Sequence, residues 1–439
     1  MTQGSVETQR SFVLQVALDF LIGDRALEVA REAVAGGIDW LEVGTPLLKS
    51  EGLNIVRALR REFPEHTIVA DTKTMDAGRI EFEAAAKAGA NVAVVMAAAS
   101  ESTIRECIEA GRNYGIKVAV DLLGVEDYIG RAVQVQQWGA DYVCLHCPID
   151  DQMRGLDPFD KLRKLAPEVS LPICVAGGIN SETVVDAIEA GAGIIIAGGS
   201  IIKSPDAAAA TRQIRQAALT GVKQATKLFK RVGDDNIREA LLAASTANIS
   251  DGNHRLPTLV GITPLAFGMR MAGPAVTVRT APGDWSKPVL AIDEARPGDV
   301  IVIDAGGEPP AVWGELATLS AKQKGLAGVV INGPARDSGE VRSIGLPVFC
   351  RGVCSRAGEP KGLGEIGAPL RISGVLIMQG DWIVADDDGV LALPRTRAAE
   401  MANRGMDCLE MENRLRQEII SGSSTLGQVQ QLLRWEKNA

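Results

Sequence analysis

The sequence predicts two α/β domains in tandem: a closed (β/α)8 TIM barrel over residues 11–218 and a mixed α/β domain over 236–439. Three observations predict it. From residue 13 to 199, short β-rich runs alternate with Ala-rich amphipathic stretches at a spacing of about 25 residues. Eight such units in about 200 residues suit a sheet that closes on itself better than the alternative, a doubly wound open sheet. From 236 onward the pattern changes: extended runs outnumber helices and turn residues are dense.

The eight runs are VLQVALD (13–19), WLEVGTP (40–46), TIVADTK (67–73), VAVVMAA (92–98), KVAVDLL (117–123), YVCLHC (142–147), PICVAGG (172–178) and GIIIAGG (193–199). Between them, stretches such as ALEVAREAVAGG and SETVVDAIEAGA carry apolar residues at helical spacing. Residues 1–10 are polar, lack the apolar run of a secretory signal, and are expected to be a flexible terminus. IIKSPDAAAATRQIRQAAL reads as the last barrel helix, and 219–235 as a helical linker broken at Gly233-Asp234-Asp235. In the second domain PAVTVRT, DVIVIDAG, AGVVING, LPVFCRG and GVLIMQGDWIVADDDGVLALP read as extended runs, and Arg395 to Leu433 as helix. ADDDGV (385–390) lacks the spaced ligands of an EF-hand and reads as a turn between strands.

Composition narrows the function. Hydrophobic residues at 46% and charged residues at 23% suit two packed cores and exclude wholesale disorder. A net charge of −9 argues against nucleic-acid and anionic-membrane partners. No apolar run is long enough to span a bilayer. Three histidines exclude a His-rich metal cage, and seven scattered cysteines predict a reduced, cytoplasmic protein. Cys144 and Cys147 form a CxxC, but positions three apart on a strand face opposite sides, so no zinc or redox site is expected.

In a barrel of this kind chemistry sits at the C-terminal ends of the strands. There the runs carry Asp19, Glu42, Asp71 with Lys73 two residues on, Asp121 and His146. So many ionisable groups on one rim are costly to bury without a metal or a substrate. Glu42 and Asp71 are oxygen donors of the kind Mg²⁺ uses, and Lys73 and His146 supply charge and proton transfer. Gly177-Gly178 and Gly198-Gly199 close the seventh and eighth runs, where barrel enzymes commonly bind phosphate on backbone amides.

ADTKTMDAG (70–78) resembles the DxKxxD signature of the orotidine-monophosphate-decarboxylase superfamily. VALD, IDWLEVGTPLLKSEGLN, VCLH, VAGGI and AGGSI follow in the order of its 3-hexulose-6-phosphate synthase family, over about residues 11–218. The resemblance implies a dimer with sites at the subunit interface, Mg²⁺ (or Mn²⁺) at Glu42 and Asp71, Asp76 reaching into the partner's site, and His146 as the proton-transfer residue. It implies reversible aldol addition of formaldehyde to ribulose 5-phosphate through an enediolate. The sister 3-keto-L-gulonate-6-phosphate decarboxylases usually carry Arg three residues after the His. Here Ile149 stands there, which lowers that reading, and Pro148 replaces the Gly usual in the synthases.

In the second domain Arg336 and Asp337 follow an apolar run ending in NGP, and extended backbone would send them to different sides. STANISDG (245–252), RPGDVIVIDAGG (296–307), VWGELA (312–317), VVINGPARD (329–337) and GDWIVADDDGVLALP (380–394) resemble the regulator of ribonuclease activity A family, which includes class II 4-hydroxy-4-methyl-2-oxoglutarate aldolases. Its aldolase pattern places an acid 21 residues before the Arg and another three beyond the Asp, matched by Glu315 and Glu340. That implies a divalent metal at Asp337, a 2-oxo acid carboxylate on Arg336, and help from amides near Gly314. Glu412 is expected on a helix surface, the alternative being a reach into a neighbouring subunit. The competing reading makes this domain a non-catalytic, protein-binding regulator of a ribonuclease. Dimeric barrels fused to trimeric domains would close as a hexamer.

Overall fold

The computed structural model describes residues 12–226, 228–233, 236–422 and 424–430. The expected flexible terminus, and Asp234-Asp235 of the expected break, lie outside the described residues. The chain divides into two compact units. One comprises residues up to Gln152, Leu156–Phe229 and the residues from Asn413; the other comprises Met153–Gly155 and Lys230–Glu412. The sequence assigns all of 236–439 to the second domain, whereas the helix Ala398–Ile420 contributes to both units.

In the first unit the eight runs form β1 (Val13–Leu18), β2 (Trp40–Val43), β3 (Thr67–Thr74), β4 (Val92–Met96), β5 (Lys117–Asp121), β6 (Tyr142–His146), β7 (Ile173–Ala176) and β8 (Ile194–Ala197). They form a closed barrel in sequence order, and the parallel pairing of β1 with β8 completes the ring. Side chains two apart share a face, and the barrel is layered accordingly. Near the N-terminal ends Trp40 and Tyr142 meet edge to face, with ring centroids 5.6 Å apart. Val69, Val92, Val94, Ala119, Cys144, Cys174 and Ile194 form one apolar cluster with them. The intervening residues, among them Leu14, Val16, Leu41, Ile68, Val120 and Val175, belong to the large core shared with the surrounding helices. Carrying the interior alternation onward brings Asp19, Glu42, Asp71, Asp121 and His146 to the mouth.

The linker departs from expectation, since residues 222–226 and 228–233 are not helical. Gly221, in the left-handed region at φ 68°, ends the helix Ala207–Thr220. The chain then runs pinned to the barrel, with Gln224 N donating to Ser181 O at 3.0 Å and Thr226 N to Glu182 Oε1 at 3.1 Å. The C-terminal helix also stops early, at Ile420, before Gly422 at φ 74°, and a separate short helix spans Leu426–Val429.

The second unit contains β9 (Thr263–Pro264), β10 (Met271–Arg279), β11 (Val300–Asp304), β12 (Gly328–Ala335), β13 (Val348–Val353), β14 (Glu365–Ile366), β15 (Leu370–Ile372), β16 (Val375–Ile377), β17 (Trp382–Asp386) and β18 (Gly389–Leu393). Its main sheet runs β18-β17-β10-β11-β12-β13-β9, with β14 beside β10. The sheet is apolar on both faces. Ile301, Ile303, Val329, Ile331 and Val348 pack with Ala291, Ala321 and Val341 of helices. Val300, Val302, Val330 and Phe349 pack with Leu370, Ile372, Ile377 and Ile383. The segment ADDDGV forms the tight connection of β17 to β18, as expected. Among the described residues no helix is long and apolar enough to cross a membrane.

Candidate active site

The barrel mouth gathers the acidic strand ends around one lysine. Lys73 Nζ lies 3.1 Å from Asp71 Oδ2 and 3.0 Å from Asp121 Oδ2. The backbone makes this reach possible: β3 shifts register between Ala70 and Thr74, and Lys73 itself sits at φ 44°. A left-handed, non-glycine residue in a strand is strained, and such strain persists where surrounding contacts hold it. Burial opposes the lysine's charge, but Asp71 and Asp121 outweigh it and hold the ammonium pKa above its ordinary value.

Two residues that the sequence reading passed over fix the carboxylates. Thr45 Oγ1 donates to Asp71 Oδ2 at 2.6 Å, and Gln15 Nε2 donates to Glu42 Oε2 at 2.5 Å. Both signals were present: Thr45 lies in EVGTP, and Gln15 shares the Asp19 face of β1 by alternation. Asp121 accepts from Leu123 N at 3.0 Å, and His146 Nδ1 stands 4.0 Å from Asp121 Oδ2. Burial lowers the His146 pKa, with Lys73 adding to the effect against Asp121 and Asp71. Burial, then Asp71 and Asp19, pushes the Glu42 carboxyl well above its ordinary range. Asp19 keeps contact with solvent, yet its carboxyl is raised too, by desolvation and then by Asp71. Its carboxylate fills space left by glycine, since a Cβ on Gly44 would stand 2.1 Å from Asp19 Oδ1.

A set of carboxylates raised by burial and by one another is short of positive charge, and its oxygens suit a hard divalent cation. Glu42 and Asp71 therefore fit Mg²⁺ or Mn²⁺. They are not a closed cage. Among the described residues, the one trio of His, Cys, Asp or Glu with ligand atoms within 4.8 Å of one another is Asp251, Cys408 and Glu412 in the second unit. Mg²⁺ keeps several waters and does not require such a cage.

Gly177 and Gly178, at φ 106° and 72°, follow β7, and Gly198-Gly199 follow β8 and lead into the helix Gly199–Ile202. Lys203, absent from the sequence reading, is buried at the end of that helix. Asp76 stands apart from the cluster: it is exposed in the loop after β3, with Oδ1 accepting from Ala77 N at 2.7 Å. Cys144 pairs in register with Cys174 inside the barrel, whereas Cys147 Sγ lies 3.5 Å from Leu156 O. The CxxC cysteines thus have different neighbours, as expected.

In the second unit the structure brings Gly314, Glu315, Arg336 and Asp337 together. Asp337 adopts φ 52°, so the chain is not extended here, and Arg336 Nε lies 3.4 Å from Asp337 Oδ2 instead of facing away. Glu315 N donates to the same oxygen at 3.2 Å, and a Cβ on Gly314 would stand 2.5 Å from it. Glu340 is exposed on the helix Ser338–Ile344. Glu412 accepts from Asn248 Nδ2 at 2.8 Å.

Residues 13–214 match the family model described as orotidine 5'-phosphate decarboxylase / HUMPS family, and residues 246–392 match RraA-like, Aldolase/RraA. The first 3-hexulose-6-phosphate synthase relative, from Mycobacterium gastri, is 39% identical over 204 residues, which is 46% of this chain and 98% of the relative. That of Methylomonas aminofaciens is 40% identical over 201 residues, 46% of this chain and 96% of the relative. Through its barrel the chain belongs to the orotidine 5'-phosphate decarboxylase / HUMPS family of lyase-type enzymes. Within that family its relatives are 3-hexulose-6-phosphate synthases, here joined to an RraA-like domain. A solved 3-hexulose-6-phosphate synthase is 38% identical, covering 47% of this chain and 99% of its own at TM-score 0.45. The RNA-processing inhibitor RraA from Thermus thermophilis is 30% identical, covering 34% and 93% at TM-score 0.33.

Proposed function

We propose that the barrel joins formaldehyde to ribulose 5-phosphate, reversibly, giving 3-hexulose 6-phosphate. The observation that carries this reading is Lys73 held between Asp71 and Asp121, with Glu42 and His146 on the same rim. A divalent cation held by Glu42 and Asp71 would supply Lewis-acid stabilisation of developing oxygen charge. His146, kept towards its neutral form, takes the proton from C1 of the ribulose, leaving an enediolate. Asp121 beside it favours the imidazolium that results. The enediolate carbon attacks formaldehyde, forming the C–C bond, and the former carbonyl oxygen of formaldehyde takes up a proton. Lys73 and Asp19 line the space where this charge and proton move. Gly177, Gly178, Gly198 and Gly199 present backbone to the substrate phosphate. Exposed Asp76 supports a reach toward a second copy of the barrel. The test is formaldehyde-dependent loss of ribulose 5-phosphate, with and without Mg²⁺.

For the second domain the contact of Arg336 with Asp337, beside the amide of Glu315, supports pyruvate-type aldolase or oxaloacetate decarboxylase chemistry. Arg336 would grip the 2-oxo acid carboxylate, and Asp337 would hold the divalent metal through water. A surface that only bound a ribonuclease would not need that arrangement. Magnesium-dependent release of carbon dioxide from oxaloacetate tests it. A dimeric barrel and a trimeric second domain, closing a hexamer, complete the proposal.

A further inference from the structure

Resting on the sugar-phosphate reading of the barrel, we infer that Arg414 is a positioning residue of the barrel's active site. It holds the chain behind the turn Gly198-Gly199 in place, and through it the affinity for the sugar phosphate. Arg414 lies on the helix Ala398–Ile420, far beyond the barrel stretch, residues 13–214. Residues from Asn413 onward nevertheless belong to the same compact unit as the barrel.

The turn after β8 needs a hold from outside. It leads into the helix Gly199–Ile202, which is a single turn. Ile201 N and Ile202 N donate to Gly198 O at 2.9 and 3.1 Å, Lys203 N to Gly199 O at 3.0 Å, and Ser204 N to Ile201 O at 3.1 Å. One helical turn does not offset the entropy lost in forming it, so its order depends on what its ends are attached to. At Ser204 the attachment is Arg414, whose Nη1 donates to Ser204 O at 2.7 Å. Ala207 N, at the start of the helix Ala207–Thr220, donates to Glu32 Oε2 at 2.9 Å. Glu32 Oε1 in turn accepts from Arg414 Nη2 at 2.7 Å. One guanidinium and one carboxylate thus fix both ends of residues 204–207. A Cβ on Gly198 would stand 3.7 Å from Asp19 Oδ2, so the turn held in this way adjoins the catalytic rim.

The contact differs in kind from a surface ion pair. Arg414 is only 4% exposed, and a buried charge must be paired and hydrogen-bonded to be tolerated. Glu418 Oε1 accepts from Arg414 Nε at 3.1 Å and is itself gripped by Arg25, with Nη1 and Nη2 at 2.7 and 3.0 Å from its two oxygens. Arg25 and Glu32 lie two turns apart on the helix Gly23–Ala35, and Arg414 and Glu418 one turn apart on theirs. The planar fork of Arg414 therefore has one direction open to it, toward Ser204 and Glu32. Its removal takes a donor from both of them.

The experiment compares the full-length wild type with Arg414→Met, Arg414→Lys and Glu32→Gln. Steady-state kinetics with ribulose 5-phosphate and formaldehyde are paired with hydrogen–deuterium exchange of the backbone amides. Arg414→Met should raise the KM for ribulose 5-phosphate about tenfold or more and leave kcat within about threefold, because binding is loosened and chemistry is not. The KM for formaldehyde should stay at its wild-type value. Amides of residues 199–207 should exchange faster, while those of the barrel strands keep their protection. Arg414→Lys can serve Ser204 O or Glu32 but lacks the fork to hold both, so it should fall between. Glu32→Gln should give the same pattern in weaker form, and these two conservative variants carry both readouts if Arg414→Met does not fold. Wild-type exchange at 199–207 in the Arg414 variants overturns the inference. So does a lowered Tm with reduced kcat and an unchanged KM, the mark of a residue that only stabilises the fold. If the wild type ignores ribulose 5-phosphate, the proposed reaction fails, while exchange at 199–207 still decides Arg414.

Discussion

Lys73 Nζ and Asp121 Oδ2 meet at 3.0 Å across the barrel rim, from strands separated by the whole of β4. This pair ties a residue with left-handed backbone to a carboxylate that also faces His146, so positioning and proton transfer share one anchor. Lys73→Met should lose at least about 10²-fold in kcat/KM for the formaldehyde reaction, because removing one electrostatic partner of a transition state costs ~2.7–4 kcal/mol. Turnover near wild type would make the cluster structural.

Asp71→Ala should lose a similar factor, and EDTA should abolish the wild-type reaction, with Mg²⁺ or Mn²⁺ restoring it. Metal-independent turnover after exhaustive chelation would remove Glu42 and Asp71 from that role.

The pH profile should carry the lowered His146 pKa. A base whose pKa is depressed stays neutral to lower pH, so the acid limb of kcat/KM should fall below the ordinary histidine value of about 6.5. His146→Gln should erase that limb along with most activity. An acid limb above that value contradicts the assignment.

Gly44→Ala should fold and yet work poorly. The new Cβ would overlap the end of the Asp19 side chain, which can swing aside and lose its place on the rim, and would stand 3.2 Å from Leu18 O, a tight contact that a shift of a few tenths of an ångström relieves. Circular dichroism and Tm near wild type with activity reduced about tenfold or more is the expected pairing. Full activity would show that Asp19 is not needed where it stands.

Asp284 provides a stability test in the second unit. This buried carboxylate accepts from Ser286 Oγ at 2.6 Å and from the amides of Ser286, Lys361 and Leu363 at 3.1, 3.2 and 2.8 Å. Burial works against its charge, but these hydrogen bonds hold its pKa down to about 2. A depressed carboxylate contributes stability that is present above the unfolded pKa, about 3.9, and lost as pH falls through the folded one. Asp284→Asn should therefore cost about 2 kcal/mol at pH 7, and the difference from wild type should shrink toward pH 2. A Tm difference that stays constant over pH 2–7 would contradict this.

Much of this was legible in the sequence because strand side chains alternate. Counting by twos from Trp40, Val69 and Tyr142 leads to Glu42, Asp71 and His146, and the structure brings all three to the mouth. What the sequence concealed was backbone. The left-handed turn at Lys73 lets it reach Asp121, and that at Asp337 brings Arg336 beside it; neither residue type announces such a conformation. The linker carries helix-forming residues, but Gly221 ends the preceding helix and the contacts of Gln224 and Thr226 tie the described residues after it to the barrel instead of to a helix of their own.

The alternation inside the barrel also sets how this protein tolerates change in length. Losing or gaining one residue ahead of Asp71 within β3 would turn Asp71 and Lys73 outward beneath the helices and swing Ile68 and Ala70 toward the substrate. A substitution at the rim removes one group, whereas a one-residue frameshift of a strand inverts its whole contribution. Variation in length should therefore be absorbed by the connections between strands and helices, with each strand kept to its count.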